Sequence, residues 1–147
     1  MVRDVISAVS NALYKEFGDE YKIYVDSIEQ NLSRPSFFIK PLRASVNEKL
    51  MGRSFVSIPF LILYFPTTPG QYLECCDVAD RLSMCLKYPE YNNVLYRGTL
   101  AKFDIVDDVL NFRIQYNFFT VIHDTNEVEP TIDDMNSTVN TNREDEV

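Results

Sequence analysis

Leu110-Asn111-Phe112-Arg113-Ile114-Gln115-Tyr116-Asn117-Phe118 alternates without a break: Leu110, Phe112, Ile114, Tyr116 and Phe118 are apolar or aromatic, and Asn111, Arg113, Gln115 and Asn117 are polar. Successive side chains of a strand point to opposite faces, so this stretch predicts one strand with a dry face and a wet face, the dry series continuing to Ile122. Asp107-Asp108 stands just before it, and residues 95–106 before that read as its hairpin partner. The fold is therefore an α+β one whose last third is a long antiparallel hairpin.

Working toward the N-terminus, residues 71–87 carry a helical pattern with Leu73, Cys76, Ala79, Leu82, Cys85 and Leu86 expected inward and Pro89 ending it. Before it, residues 54–65 form an extended run that is apolar on both faces, Val56, Ile58, Phe60 and Ile62 on one and Phe55, Leu61 and Leu63 on the other. A strand dry on both faces is either central in a covered sheet or covered by another subunit. Pro59 inside it lacks an N–H to donate, which argues for an edge position or a bulge. Residues 41–53 lose the pattern and read as a loop or projecting hairpin arm, with Arg43, Lys49 and Arg53 against Glu48 alone. Residues 36–40 and 21–26 are two further short strands, and Val2, Val5, Ile6, Val9, Leu13 and Phe17 lay one apolar stripe along a first helix stopped by Gly18. The expected order is α-β-β-β-α-β-β: a small mixed or antiparallel sheet with two packed helices.

The chain has 147 residues, 46% of them hydrophobic and 13% aromatic, enough for one core. Its net charge of −8 is unevenly placed: residues 1–123 hold 14 acidic and 13 basic side chains, a net of −1, and residues 124–147 hold 8 and 1, a net of −7. The expected organisation is one α+β domain over residues 1–123 and an acidic tail over 124–147 too poor in apolar residues to order itself. The N-terminus runs directly into the first helix with no signal-peptide core, and no stretch is long enough to span a membrane, so cytosolic synthesis is expected.

Chemistry is thinly represented. His123 is the one imidazole, at the end of the last strand beside the tail, where nothing holds a nucleophile against it. Asp104, Asp107 and Asp108 lack the spacing of a calcium loop and suit a polar turn. Asp26 with Glu48-Lys49 is too slight a match to a metal-dependent nuclease core to carry weight. Cys75, Cys76 and Cys85 have no Cys-x-x-Cys spacing and read as free thiols or small core side chains. With four glycines and no Gly-rich phosphate loop, neither a nucleotide site nor another cofactor is expected. Positive charge is not concentrated along any helix, which argues against nucleic-acid recognition. No catalytic, cofactor or metal residue is assigned. The expected contact residues are Arg43, Lys49, Met51 and Arg53 of the arm and Phe55, Leu61 and Leu63 of the two-sided strand.

Three segments in order, Gly18-Asp19-Glu20-Tyr21-Lys22-Ile23-Tyr24, Phe37-Phe38-Ile39-Lys40, and Asp108-Val109-Leu110-Asn111-Phe112 leading to Tyr116-Asn117-Phe118-Phe119, together with Tyr64-Phe65-Pro66 before the second helix, resemble the tail terminator proteins of long-tailed bacteriophages and of related prophage and tailocin particles. The resemblance covers about residues 2–121 and leaves the tail after His123 outside. It implies a non-enzymatic virion subunit, assembled in the bacterial host's cytoplasm into a ring, typically a homohexamer. That ring would cap the tail tube, stop its polymerisation and offer a joint to head-completion proteins, with DNA meeting it only in passage through the channel. Two other readings stay open: a neck or head–tail connector subunit, and a cytosolic ligand-binding module in which Phe37, Phe60, Phe103 and Tyr116 would line a pocket instead of a core.

Overall fold

The apolar stripe near the N-terminus becomes helix α1, Val2–Phe17, in the computed structural model, which describes residues 1–25, 27 and 32–121. Val5, Ala8, Val9, Leu13 and Phe17 are its buried face, and the helix stops where Gly18 takes φ 85°, with the Gly18 N–H donating to the Tyr14 carbonyl at 2.8 Å. Only a residue without Cβ takes that conformation freely. Strands β1 (Lys22–Tyr24), β2 (Ser36–Pro41) and β3 (Ser45–Glu48) follow, then a single 3-10 turn at Leu50–Gly52, β4 (Arg53–Phe65), helix α2 (Tyr72–Cys85), the short pair β5 (Glu90–Tyr91) and β6 (Val94–Leu95), and the long hairpin β7 (Gly98–Val106) and β8 (Val109–Val121).

The main sheet runs β1-β2-β4-β8-β7, with β3 also pairing with β4. β1 is parallel to β2, while β2 is antiparallel to β4 and β7 to β8. The expected α+β class holds, as do both long strands, the first helix and the turn at Asp107-Asp108; β3, β5 and β6 are additional. Asp107 and Asp108 have φ of 52° and 64°, and Asn92-Asn93, joining β5 to β6, repeats those signs with 52° and 64°. Two consecutive positive φ angles make a hairpin turn whose twist matches that of the strands it joins, and Asn and Asp tolerate the conformation best among non-glycine residues.

The chain falls into two compact units, Met1–Asn47 with Phe55–Phe119, and Glu48–Ser54 with Thr120–Val147. In the first, both helices lie on one face of the sheet. Val56, Ile58, Phe60, Ile62 and Tyr64 of β4 and Leu110, Phe112 and Tyr116 of β8 are completely buried there, against Val5, Val9 and Leu13 of α1 and Ala79 and Leu82 of α2. Phe17, Phe37 and Tyr64 pack in sequence as tilted rings, with centroids 4.8 and 5.0 Å apart. The β7 backbone approaches the end of α2 closely, the Gly98 N–H donating to the Lys87 carbonyl at 2.8 Å, and a Cβ at Gly98 would stand 2.5 Å from Ile114 Cδ1 and 2.7 Å from the Leu86 carbonyl oxygen.

Three expectations need correction. Strand β4 is interior, flanked by β2 and β8, so Pro59 is not on an edge. It falls where β2 runs out: the β2 register ends at Pro41 opposite Phe60, and the Pro59 carbonyl accepts the Leu42 N–H at 2.8 Å. In a strand the N–H and C=O of one residue point to the same side, so the missing donor faces the end of β2, where pairing stops. The inward stripe of α2 is partly different: Ala79, Leu82 and Leu86 are completely buried as expected, but the other three residues are not. Cys75, Val78, Ala79 and Leu82 are buried, while Leu73 is 76% exposed and Cys76 and Cys85 are half-buried. Finally, the first of the short strands is three residues long; Asp26 lies outside the described residues, as do Ile122, His123 and the tail.

Glu74 anchors the start of α2. Its Oε2 accepts from the Tyr64 hydroxyl at 2.5 Å and from the Thr67 N–H at 3.0 Å, joining the end of β4 to the first helical turn, where a carboxylate is favoured by the helix dipole. Burial and this hydrogen bond push the Tyr64 hydroxyl well above its usual range.

Candidate assembly surface

Because successive strand residues alternate in direction, the sheet has a second face, away from the helices. Register assigns it Ser36, Phe38 and Lys40 of β2, Leu61 and Leu63 of β4, and Asp104 and Lys102 of β7 opposite Asn111 and Arg113 of β8. Phe55, Leu61 and Leu63, the expected second dry face of β4, lie there half-buried. Phe55 meets Phe119 edge-on at 5.0 Å, and the Gln115 side-chain amide donates to Ser57 Oγ at 2.7 Å and to Asn117 Oδ1 at 3.0 Å. This face mixes apolar, amide and charged side chains where the opposite one is mostly apolar.

The arm residues are exposed. Arg43 lies in the first unit, between β2 and β3. Lys49, Met51 and Arg53 lie in the second, where the Lys49 N–H donates to the Arg53 carbonyl at 2.7 Å and closes a turn around Leu50 and Met51. Leu50 is 86% and Met51 93% exposed, and Met51 holds φ 64°. A bulky side chain held in the left-handed region and presented to solvent costs free energy within the monomer twice over. The structure thus groups Lys49, Met51 and Arg53 in one turn, and Phe55, Leu61 and Leu63 on one sheet face; Arg43 stands on a separate segment.

Chemical groupings are few. Among the described residues no cluster of His, Cys, Asp and Glu could hold a metal ion. Asp104 Oδ1 accepts its neighbour Ile105's N–H at 2.8 Å, and Asp107 and Asp108 form the turn. A cleft of about 670 Å³ is open and polar, lined by Lys15, Glu16, Cys85, Tyr91, Asn92 and Asn93 among others. Its one thiol is unsuited to nucleophilic work, since burial pushes Cys85 up to about 12, and Glu16 is engaged by Arg81 Nε at 2.9 Å. The aromatic pocket of the ligand-binding reading does not form: Phe37, Phe60 and Tyr116 are completely buried in the core, Phe60 edge-on to Tyr116 at 5.8 Å, while Phe103 is 46% exposed. The Tyr116 hydroxyl is satisfied by the Leu86 carbonyl at 2.7 Å.

The exposed arm suits a subunit built for contact. A family model described as phage tail terminator protein matches residues 4–129. The chain belongs to that family. The match runs past His123 to Glu129 and so takes in the first residues of the segment that the sequence reading set outside the resemblance. The chain's fold is similar to a cryo-EM structure of the PVC sheath/tube terminator of an extracellular contractile injection system in its extended state, with a TM-score of 0.51 and 12% identity. That similarity covers 97% of this chain and 64% of the other, so this chain spans less than two thirds of the length of its structural relative. No curated protein matches the chain. Membership of that family makes the chain a structural component of a phage-like tail. No helix among the described residues is long and apolar enough to cross a membrane.

The sequence reading missed one feature of the outer face. A two-residue turn at Asp107-Asp108 fixes which residues of β7 and β8 stand opposite each other, and it sets Lys102 against Arg113. The signal was available in the alternation of β8, which assigns Arg113 to the wet face, once the turn length was applied.

Proposed function

We propose that this terminator assembles into a ring, a homohexamer, that caps the tail tube, stops its polymerisation and provides the joint to the head-completion proteins, without catalysing a reaction. The observation that carries the reading is the turn holding Leu50 and Met51 in solvent between Lys49 and Arg53, on a member of the tail terminator family. Apolar anchors flanked by charges are the composition of a docking surface, where the charges steer and the buried apolar groups hold. The half-buried outer residues Phe55, Leu61 and Leu63 supply a second surface of the same kind. Assembly would take place in the bacterial cytoplasm, and DNA would meet the ring in the channel alone.

The test is light scattering over a wide concentration range, with and without tube protein. A ring, alone or templated by the tube, is the expected result; a strict monomer in both conditions overturns the reading. Arg43→Glu with Arg53→Glu should weaken ring formation while the circular dichroism spectrum stays as it is. A ring that binds the portal side and ignores the tube would instead make this a neck subunit.

A further inference from the structure

Lys102 and Arg113 stand directly opposite each other across β7 and β8, both exposed, on the sheet face away from the helices. Like charges at opposed positions of an antiparallel pair repel and destabilise the hairpin. Neither has an ion-pair or hydrogen-bond partner among the described residues. The nearest acid by register, Asp104, has its Oδ1 engaged by the N–H of its neighbour Ile105. On one side of the pair lies a groove of about 230 Å³ whose apolar lining includes Leu42, Pro59 and Leu100, and on the other one of about 280 Å³ that includes Phe103 and Asn111. Leu100 sits at a bulge where the register shifts between Thr99 and Lys102; it is 73% exposed and held at φ 56°, a strained conformation for such a side chain. Two cations without a partner among the described residues, set over an apolar groove, are the inverse of an acidic segment with apolar residues in it.

Such a segment exists in this chain. Residues 127–134 read Glu127-Val128-Glu129-Pro130-Thr131-Ile132-Asp133-Asp134, four carboxylates and two large apolar side chains, and no Lys or Arg occurs between residues 124 and 142. By register the outer face carries Lys22, Lys40, Lys102 and Arg113 against Asp104, so charge complementarity selects that face for this segment. We propose that the Lys102–Arg113 pair and the groove beside it dock residues 127–134 of a second copy of this chain, with Val128 or Ile132 entering the apolar groove and the carboxylates taking the two cations. The second copy rests on the ring reading, in which neighbours are held side by side; each terminator would then strap the next.

The receptor for the test is the full chain with its own carboxylates neutralised by Glu127→Gln, Glu129→Gln, Asp133→Asn and Asp134→Asn, so that its own segment does not compete. The probe is a synthetic peptide of residues 124–147 carrying a photoreactive phenylalanine analogue in place of Ile132. Saturable binding that weakens with salt, and cross-links falling within residues 98–115, are expected. Lys102→Glu with Arg113→Glu should weaken binding by about tenfold or more, as two charge-assisted contacts become repulsions. A peptide with the four acids changed to lysine should recover binding to the reversed receptor. Unchanged binding to the reversed receptor, or cross-links elsewhere, overturns the proposal. So does a DNA duplex that binds through the same pair and is not displaced by the peptide, since the pair would then be a phosphate contact. Because the peptide needs no ring, a peptide that binds where no ring forms overturns the assembly reading alone, and a ring that forms while the peptide fails to bind overturns the docking alone.

Discussion

Cys85 shows at the scale of one residue how packing changes chemistry. It is half-buried at the end of α2, and desolvation, with Glu16 nearby, raises its pKa from an ordinary 9.0 to about 12. Cys75, Tyr64 and Tyr116 are shifted in the same direction, chiefly by burial. All four are neutral when protonated, so above a pH of about 9 the unfolded chain loses protons that the folded one keeps, and folding stability must fall. The contribution is fully present below the unfolded value and is lost as pH rises from about 9 toward 12. Urea titrations at pH 6.5, 7.5 and 10.5 should therefore give equal stabilities at the first two and a lower one at the third, and Cys85→Ala should make that fall shallower. A stability that rises over the same interval contradicts the assignment.

At the scale of an element, α2 separates pattern from placement. Residues 71–87 contain apolar side chains on more than one face, and Leu73 with Cys76 fitted a helical stripe as well as Cys75 with Val78 did. The fold takes the second, with the Glu74 carboxylate held by Tyr64 and Thr67 against the end of β4. With Glu74 so held, Cys75 and Val78 turn toward the sheet and Leu73 toward solvent. Leu73→Asp should thus change stability by less than about 0.5 kcal/mol, whereas Val78→Asp, which buries a carboxylate without a partner, should cost several kcal/mol, about 3 or more. Thermal melts of the two variants read the helix phase directly. Equal losses would mean that Leu73 is covered in the protein as it exists in solution.

For the whole molecule, charge is distributed with a direction. The helices present Asp4, Glu16, Glu74, Asp77 and Asp80 against Arg3, Lys15 and Arg81, while the outer sheet face is basic and the last 24 residues carry a net of −7. All described core residues lie before residue 120. Cutting the chain after His123 is expected to leave the circular dichroism spectrum intact and to move the melting temperature of a dilute sample by less than about 3 °C, the shift that a few tenths of a kcal/mol produces in a domain of this size. A truncated chain that unfolds would show that residues 124–129, which the family match includes, complete the domain.

What the sequence determined by itself was everything carried by period and punctuation. The two-residue alternation of β8, the helical stripe of α1 with Gly18 after it, and the turn at Asp107-Asp108 are local, and local sterics decide them. The tail terminator resemblance rested on the same strand segments in order, and the family match extends it to Glu129. What only the tertiary structure decided was which neighbours the elements meet. Pro59 reads as an edge residue until β2 is seen to end beside it. Phe37, Phe60 and Tyr116 could line a pocket or fill a core until two helices close over them. Lys102 and Arg113, eleven residues apart, become one basic pair only when a hairpin turn brings them opposite each other. The physical reason is common to all three: a side chain's period fixes the face it takes, but burial and charge pairing depend on contacts between residues far apart in the chain, which no local pattern records.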